Sequence, residues 1–337
     1  MASFHSRDGR RDLTNTPRRR TSLCKESTMR FESKKLRTLC TAIVAITATL
    51  CGSHATAASP SDSRDKIVIS GASGQLGELV VRDLLARGVP ANNLILVSRT
   101  PEKLDEFEKI GAATRFGDFG KPESLPAAYA GGTKMLLISI GFDAGPRPEA
   151  HKRAVDAAVA AGIKHIVYTS FVAISKGDRA GLASDHFQTE EIIKKSGVAW
   201  TMLRNSIYSN GLVQQASKML AEGKAAVSES DVRIGYITRE DCAAAAVAAL
   251  SNPGHENKEY DITGPELVGP RVIAAAASAV TGDAIELAPA DPNARRGFGG
   301  PSFEVVSDDF EKLTGRPAMS VRGLFEKHRD ELLRAAK

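Results

Sequence analysis

The chain is expected to fold as an α/β protein built on a doubly wound parallel sheet, and two observations carry that expectation. From residue 66 onward, short apolar runs of strand length alternate with segments of helical periodicity. A glycine-rich stretch, Gly71-Ala72-Ser73-Gly74-Gln75-Leu76-Gly77, joins the first such run to the first such segment. Alternation of this kind implies parallel strands whose crossover helices cover both faces of the sheet.

The first strand is read at 66–70, Lys66-Ile67-Val68-Ile69-Ser70, and the first helix at 76–87, with Leu79, Val80, Leu84 and Leu85 on one stripe. A strand, a tight glycine turn and a helix in that order make a Rossmann-type dinucleotide cradle. Gly71 allows the turn, Gly74 lets backbone approach a pyrophosphate, and Gly77 lets helix and strand pack closely. The helix then offers free N–H groups and a positive dipole end to the phosphates. The alternative is a glycine turn that merely connects the two elements.

The second strand is read at 94–98. NAD-preferring sites usually end this strand with a carboxylate for the ribose 2′-OH. Here Ser98-Arg99-Thr100 follows, and a guanidinium at Arg99 can pair with a 2′-phosphate. NADP(H) is therefore favoured over NAD(H), with a solvated loop charge as the alternative for Arg99. A third strand at 113–117 ends on Gly117-Asp118. Asp118 is read either near the adenine or as a cap on the following helix.

Further strands are expected at 134–139, 164–169 and 199–204, with helices near 101–110, 122–129, 148–161, 184–196 and 211–222. Residues 66–205 make the nucleotide-binding domain. Residues 206–337 make a small C-terminal α+β substrate lobe, interleaved with the Rossmann sheet. Its strands are read near 232–237 and 258–262, and its helices near 239–250, 270–281, 307–314 and 320–334. Ligands of such sheets bind at the carboxyl ends of the strands. That places Ser139-Ile140-Gly141, Thr169-Ser170-Phe171 and Asn205-Ser206 around one crevice with the glycine turn.

Residues 1–57 differ from the rest. Basic residues at Lys34, Lys35 and Arg37 precede an uncharged run, Leu39 to Leu50, and Ala55-Thr56-Ala57 follows it. This is the pattern of a secretory signal peptide cleaved near Ala57, with 58–65 as a linker. The run is too short for a comfortable transmembrane span. The expectation is an exported or periplasmic protein with no stable membrane span after cleavage. A cytoplasmic or N-terminally anchored protein is the alternative. Met29 is a second candidate start, and Arg18-Arg19-Arg20 resembles a twin-arginine signal only faintly. Of the 45 Lys+Arg and 40 Asp+Glu, residues 1–57 hold 11 and 4, leaving 34 and 36. The net charge of +5 thus belongs to the leader, and the folded part is not expected to bind nucleic acid. Only Cys242 lies beyond the leader, which excludes an internal disulfide after cleavage, and no cysteine cluster suggests a metal site.

Residues 71–77 resemble the opening of the NmrA-like atypical short-chain dehydrogenase/reductase family, most nearly the type 2 NAD(P)H:quinone oxidoreductase group. Similar too are Leu136-Leu137-Ile138-Ser139, His151 with 157–164, Tyr168-Thr169-Ser170, Gly181-Leu182-Ala183 with Asp185-His186, and Thr189-Glu190. Leu203-Arg204-Asn205 with Tyr208-Ser209, and Leu313-Thr314-Gly315-Arg316-Pro317, complete the likeness. It covers about 66–265 well and 303–335 loosely. The resemblance implies NADPH held by residues 71–76 and Arg99, and a quinone or other small electrophile near Ser139 and 206–211. The leader departs from the family pattern. So does the short Gly/Pro/Arg-rich stretch Glu286 to Ser302, which leaves the site more open.

Candidate cofactor contacts are thus Gly71 to Gly77, Arg99, Asp118 and Ser139. Candidate substrate contacts are Ile140, Gly141, Phe171, Asn205, Ser206, Tyr208 and Asn210. Tyr168 and Tyr208 are not followed at the fourth position by lysine, so the Tyr-x-x-x-Lys mechanism of alcohol dehydrogenation is disfavoured. Quinone reduction asks mainly for positioning and one proton. Tyr208, Ser170 and His186 are the candidate catalytic donors, although His186, Tyr168 and His151 each have a structural reading and Asn205 can cap the next helix. An NADPH-dependent reductase, an NADP(H)-binding sensor without turnover and a nucleotide-sugar epimerase relative are the three functions weighed. The first is favoured. Homodimerisation is left open.

Overall fold

The computed structural model describes residues 65–141, 146–291 and 300–336. The expected leader, linker residues 58–64 and residues 292–299 of the Gly/Pro/Arg-rich stretch lie outside them. The strands are β1 (Ile67–Ser70), β2 (Leu94–Ser98), β3 (Ala113–Phe116), β4 (Lys134–Leu137), β5 (His165–Phe171), β6 (Ala199–Asn205), β7 (Lys224–Val227), β8 (Lys258–Ile262) and β9 (Glu286–Pro289). Helices α1 (Gln75–Ala86), α2 (Asp105–Glu108), α3 (Leu125–Tyr129), α4 (Arg147–Ala160), α5 (Gly181–Lys195) and α6 (Asn210–Glu222) alternate with the earlier strands. After them come α7 (Arg239–Ser251), α8 (Pro270–Thr281), α9 (Asp309–Thr314), α10 (Val321–Lys327) and α11 (Arg329–Ala335).

Seven strands form one parallel sheet in the order β3-β2-β1-β4-β5-β6-β8. This is the doubly wound Rossmann arrangement, with the chain reversing direction across the sheet between β1 and β4. Alternation along the strands feeds two cores. Ile67, Ile69, Leu96, Leu136, Val167 and Leu203 face α1 and α7. Val68, Ile95, Val97, Met135, Ile166 and Met202 face α3, α4 and α5. Within α7 every residue from Asp241 to Leu250 is buried. Its run of alanines lets the backbones of α7 and α1 come close. Thr238 starts that helix by accepting the Asp241 N–H at 3.0 Å.

The lobe departs from expectation in three places. The strand read near 258–262 is β8, which joins the main sheet beside β6, and the helix read at 239–250 covers a face of that sheet rather than of the lobe. The strand read at 232–237 makes only isolated bridges, Ile234 to Val268 and Tyr208 to Ile237. A two-stranded parallel pair, β7 with β9, takes its place. The lobe core gathers α6, α8, α10 and α11 around Leu212, Ala216, Ile273, Ala277, Leu324 and Phe325. The helix expected at 320–334 is split at His328. Among the described residues no helix is long and apolar enough to cross a membrane.

Candidate functional site

Gly71 sits at φ +93°, where L side chains rarely go, and so turns the chain out of β1. The N–H groups of Gly71 and Ala72 both donate to the Val97 carbonyl at 3.0 Å, which fastens the turn to β2. These two amides are spent on shaping the turn. The first bond of the helical ladder is Glu78 N–H to the Gly74 carbonyl at 2.9 Å, so Gln75, Leu76 and Gly77 open α1 with amides no preceding turn occupies. A side-chain carbon at Gly77 would lie 2.3 Å from the Gly71 oxygen, so only glycine fits there.

A cavity of about 630 Å³ lies over this turn. Its walls bring together Gly71, Ser73, Gly74, Arg99, Asp118, Ser139, Ile140 and Gly141 from the sequence-based set. The pyrophosphate cradle, the open amides and the cationic corner fit a dinucleotide. On the β2 side, Ser73 Oγ bonds Ser98 Oγ and lies 3.4 Å from Thr100 Oγ1, while Ser98 Oγ accepts the Thr100 N–H at 2.9 Å. Arg99 and Lys103 line the cavity beside these hydroxyls. Lys103 escaped the sequence reading. Its spacing of four from Arg99 across a proline-opened turn was the available signal. Asp118 does not cap the next helix. Its Oδ1 accepts the Gly120 N–H at 2.9 Å and closes its own turn at the cavity wall.

On the β4 side the loop after Leu137 is held by side chains. Ser139 N–H donates to Thr169 Oγ1 at 2.9 Å, and Ile140 N–H donates to His151 Nε2 at 3.2 Å. Arg147 Nε donates to the Ile140 carbonyl at 3.0 Å and its Nη1 to Asp185 Oδ2 at 3.0 Å. Because His151 accepts at Nε2, its proton sits on Nδ1 and goes to Thr189 Oγ1 at 2.9 Å, which in turn donates to the Asp185 carbonyl. Burial, helped by the Arg147 charge, lowers the His151 pKa to about 3.

The three candidate proton donors stand differently. Ser170 Oγ donates to the buried carboxylate of Glu190 at 2.6 Å, and Arg204 clasps that carboxylate at 2.9 and 2.8 Å. Ser170 is therefore tied into an ion-pair network between β5, α5 and β6. His186 is buried, its Nδ1 lies 2.8 Å from the Tyr168 hydroxyl, and burial lowers its pKa to about 3. It carries no imidazolium proton at neutral pH. Tyr208 is half-buried, with the Arg239 guanidinium 4.9 Å from its ring centroid. Burial pushes its phenol well above the ordinary value, and the Asn205 side chain pulls it back.

Asn205 pairs in register with Phe171 at the carboxyl ends of β6 and β5. Asn205 Oδ1 and Ser206 Oγ are buried without a hydrogen-bond partner, an uncommon condition at a sheet end where ligands bind. Asn205 does not cap α6. The residue before that helix is Ser209, and Asn210 opens it in an exposed position. Phe171 packs edge-on against Phe303 at 5.4 Å and beside His186. None of Phe171, Asn205, Ser206, Tyr208 or Asn210 lines the cavity over the glycine turn.

The NAD(P)H-binding family model matches residues 71–253. Quinone oxidoreductase 2 of Escherichia coli is 37% identical over 198 residues, 59% of this chain and 68% of that protein. An NAD(P)H azoreductase of Xenophilus azovorans is 28% identical over 284 residues, 78% of this chain and 97% of that protein. A crystal structure of an Escherichia coli NADPH-dependent quinone oxidoreductase complexed with NADPH superposes with a TM-score of 0.68 at 30% identity. It covers 79% of this chain and 99% of that one. Fold, glycine turn and cavity agree with these matches: the chain belongs to the NAD(P)H-binding family and stands among its NmrA-like oxidoreductases.

Proposed function

We propose that the protein is an NADPH-dependent reductase of quinones or similar small electrophiles. The observation that carries this reading is the cavity that runs from Arg99 and Lys103 at one end, over the glycine turn, to the Ser139–Gly141 loop at the other. NADPH, when bound, supplies a hydride, and one added proton completes the two-electron reduction of a quinone to a hydroquinone. Arg99 and Lys103 present two positive charges for a 2′-phosphate beside the Ser73, Ser98 and Thr100 hydroxyls. The amides that open α1 receive the pyrophosphate. Ser139, Ile140 and Gly141 flank the nicotinamide half, and Asn205, Ser206 and Tyr208 face the acceptor. Tyr208 is the proton donor of this proposal, since Ser170 is engaged with Glu190 and His186 is held neutral. The similarity to a quinone oxidoreductase and to an azoreductase supports an electron-poor acceptor and leaves its shape open. The leader pattern of 1–57 supports export, which N-terminal sequencing of the mature protein tests.

The test is NADPH oxidation by purified protein across a panel of quinones and azo dyes, with NADH alongside. Turnover that prefers NADPH supports the proposal. Folded protein that binds NADPH and turns over no acceptor is a nucleotide sensor instead.

A further inference from the structure

Beyond Leu137 the β4 backbone leaves the sheet ladder, and Ile138 N–H makes its last contact with β1, to the Ser70 carbonyl at 3.3 Å. The next backbone groups are received by side chains: Thr169 takes Ser139 N–H, His151 takes Ile140 N–H, and Arg147 holds the Ile140 carbonyl. These side chains are buried, with His151 at 0% exposure and Arg147 at 5%. Apolar residues would join α4 to α5 with less desolvation cost than a buried arginine and an unprotonated imidazole. The polar set has a use that apolar packing lacks, since it dictates which way three consecutive peptide groups at the cavity wall point, those joining residues 138 to 141.

We infer that His151, Arg147 and Thr169 are positioning residues that fix the Ser139–Gly141 loop for the nicotinamide half of the dinucleotide. The inference rests on the NADPH reading above. The strand order places Arg99 on the β2 side of the glycine turn and the Ser139 loop on the β4 side. A dinucleotide spanning the turn with its 2′-phosphate at Arg99 therefore lays its nicotinamide half against the clamped loop. His151 reaches the ligand only through the Ile140 peptide, so its influence is selective for one half of the cofactor. A residue that merely supported the fold would affect both halves alike.

Calorimetric titration of the full-length protein with NADPH and, separately, with adenosine 2′,5′-bisphosphate reads this difference. The bisphosphate contains the Arg99-side half and lacks the nicotinamide. For His151→Ala, NADPH affinity is expected to fall about tenfold, the loss of one well-made buried hydrogen bond, with bisphosphate affinity unchanged within about twofold. His151→Gln, whose amide oxygen can stand where Nε2 stood, restores most of the NADPH affinity. Thr169→Val removes the acceptor of Ser139 N–H at nearly constant shape and gives the same selective loss, so the test survives if His151→Ala does not fold. Equal weakening of both ligands, or of neither, overturns the inference. A wild-type protein that binds the bisphosphate and not NADPH also overturns it. One that binds neither overturns the cofactor reading itself.

Discussion

Gly77, in the first turn of α1, has its α-carbon against the Gly71 carbonyl, where any side-chain carbon would come within 2.3 Å of that oxygen. The obstacle is backbone that is itself fastened to Val97 by two hydrogen bonds, so it cannot step aside. Gly77→Ala must push α1 away from β1 and pull the open amides out of line. The expected loss is about 1–3 kcal/mol of stability, the usual cost of overpacking, together with most NADPH binding. Thermal unfolding and titration with NADPH check both. An unchanged melting temperature would show that the turn has slack.

Arg99 and Lys103 meet the ligand at the same corner, and their separate contributions are measurable. Arg99→Ala removes a charge-assisted pairing worth about 1.5–3 kcal/mol, so NADPH affinity should fall about ten- to a hundredfold. NADH affinity should change little. Lys103→Ala should act in the same direction and more weakly, because an exposed ammonium is a well-hydrated point charge. Equal losses for NADPH and NADH would remove these residues from 2′-phosphate recognition.

The sheet was legible because alternating apolar runs, a glycine turn at fixed spacing and Arg99 all act locally in sequence. The lobe was less so. Lys258–Ile262 reads as a strand, and nothing within five residues says which sheet it will join. Its partner β6 lies more than fifty residues back, with α6, β7 and α7 between them in the chain. Likewise Ser170 is a plausible donor by its place at a strand end, until Glu190 is seen to accept its hydrogen bond. The clamp on Ser139 and Ile140 was out of reach for a similar reason, since it joins residues of β5 and α4 to a loop backbone that has no sequence signature.

Tyr208→Phe keeps the ring under Arg239 and removes only the hydroxyl. If Tyr208 gives the proton, kcat for quinone reduction falls about a hundredfold, the lower end of general-acid contributions, with NADPH affinity unchanged. Ser170→Ala should leave kcat within about twofold and lower the melting temperature, because Glu190 loses a buried donor worth about 1–3 kcal/mol. The opposite pattern would exchange the roles of Tyr208 and Ser170.

Acid should destabilise the fold well above the range in which carboxylates titrate. His151 and His186 are neutral in the folded protein, with pKa values near 3, against 6.5 for an ordinary histidine. Between those values the unfolded chain binds more protons than the folded one, so stability is full above about pH 6.5 and declines as pH falls toward 3. Each histidine contributes up to about 1.4 kcal/mol per pH unit within that window. The groups facing the pair are Arg147, Asp185, Tyr168 and Glu190, and the positive Arg147 works in the same sense as burial. The melting temperature should therefore drop by several degrees between pH 7.5 and pH 5. In His151→Gln, which keeps an acceptor for Ile140 and cannot take up a proton, the drop should be clearly smaller. What remains reflects His186, together with His165 and His255, whose pKa values burial also lowers. Identical pH profiles for wild type and His151→Gln would mean that His151 is not held neutral, and its place as acceptor of the Ile140 N–H would fall with it.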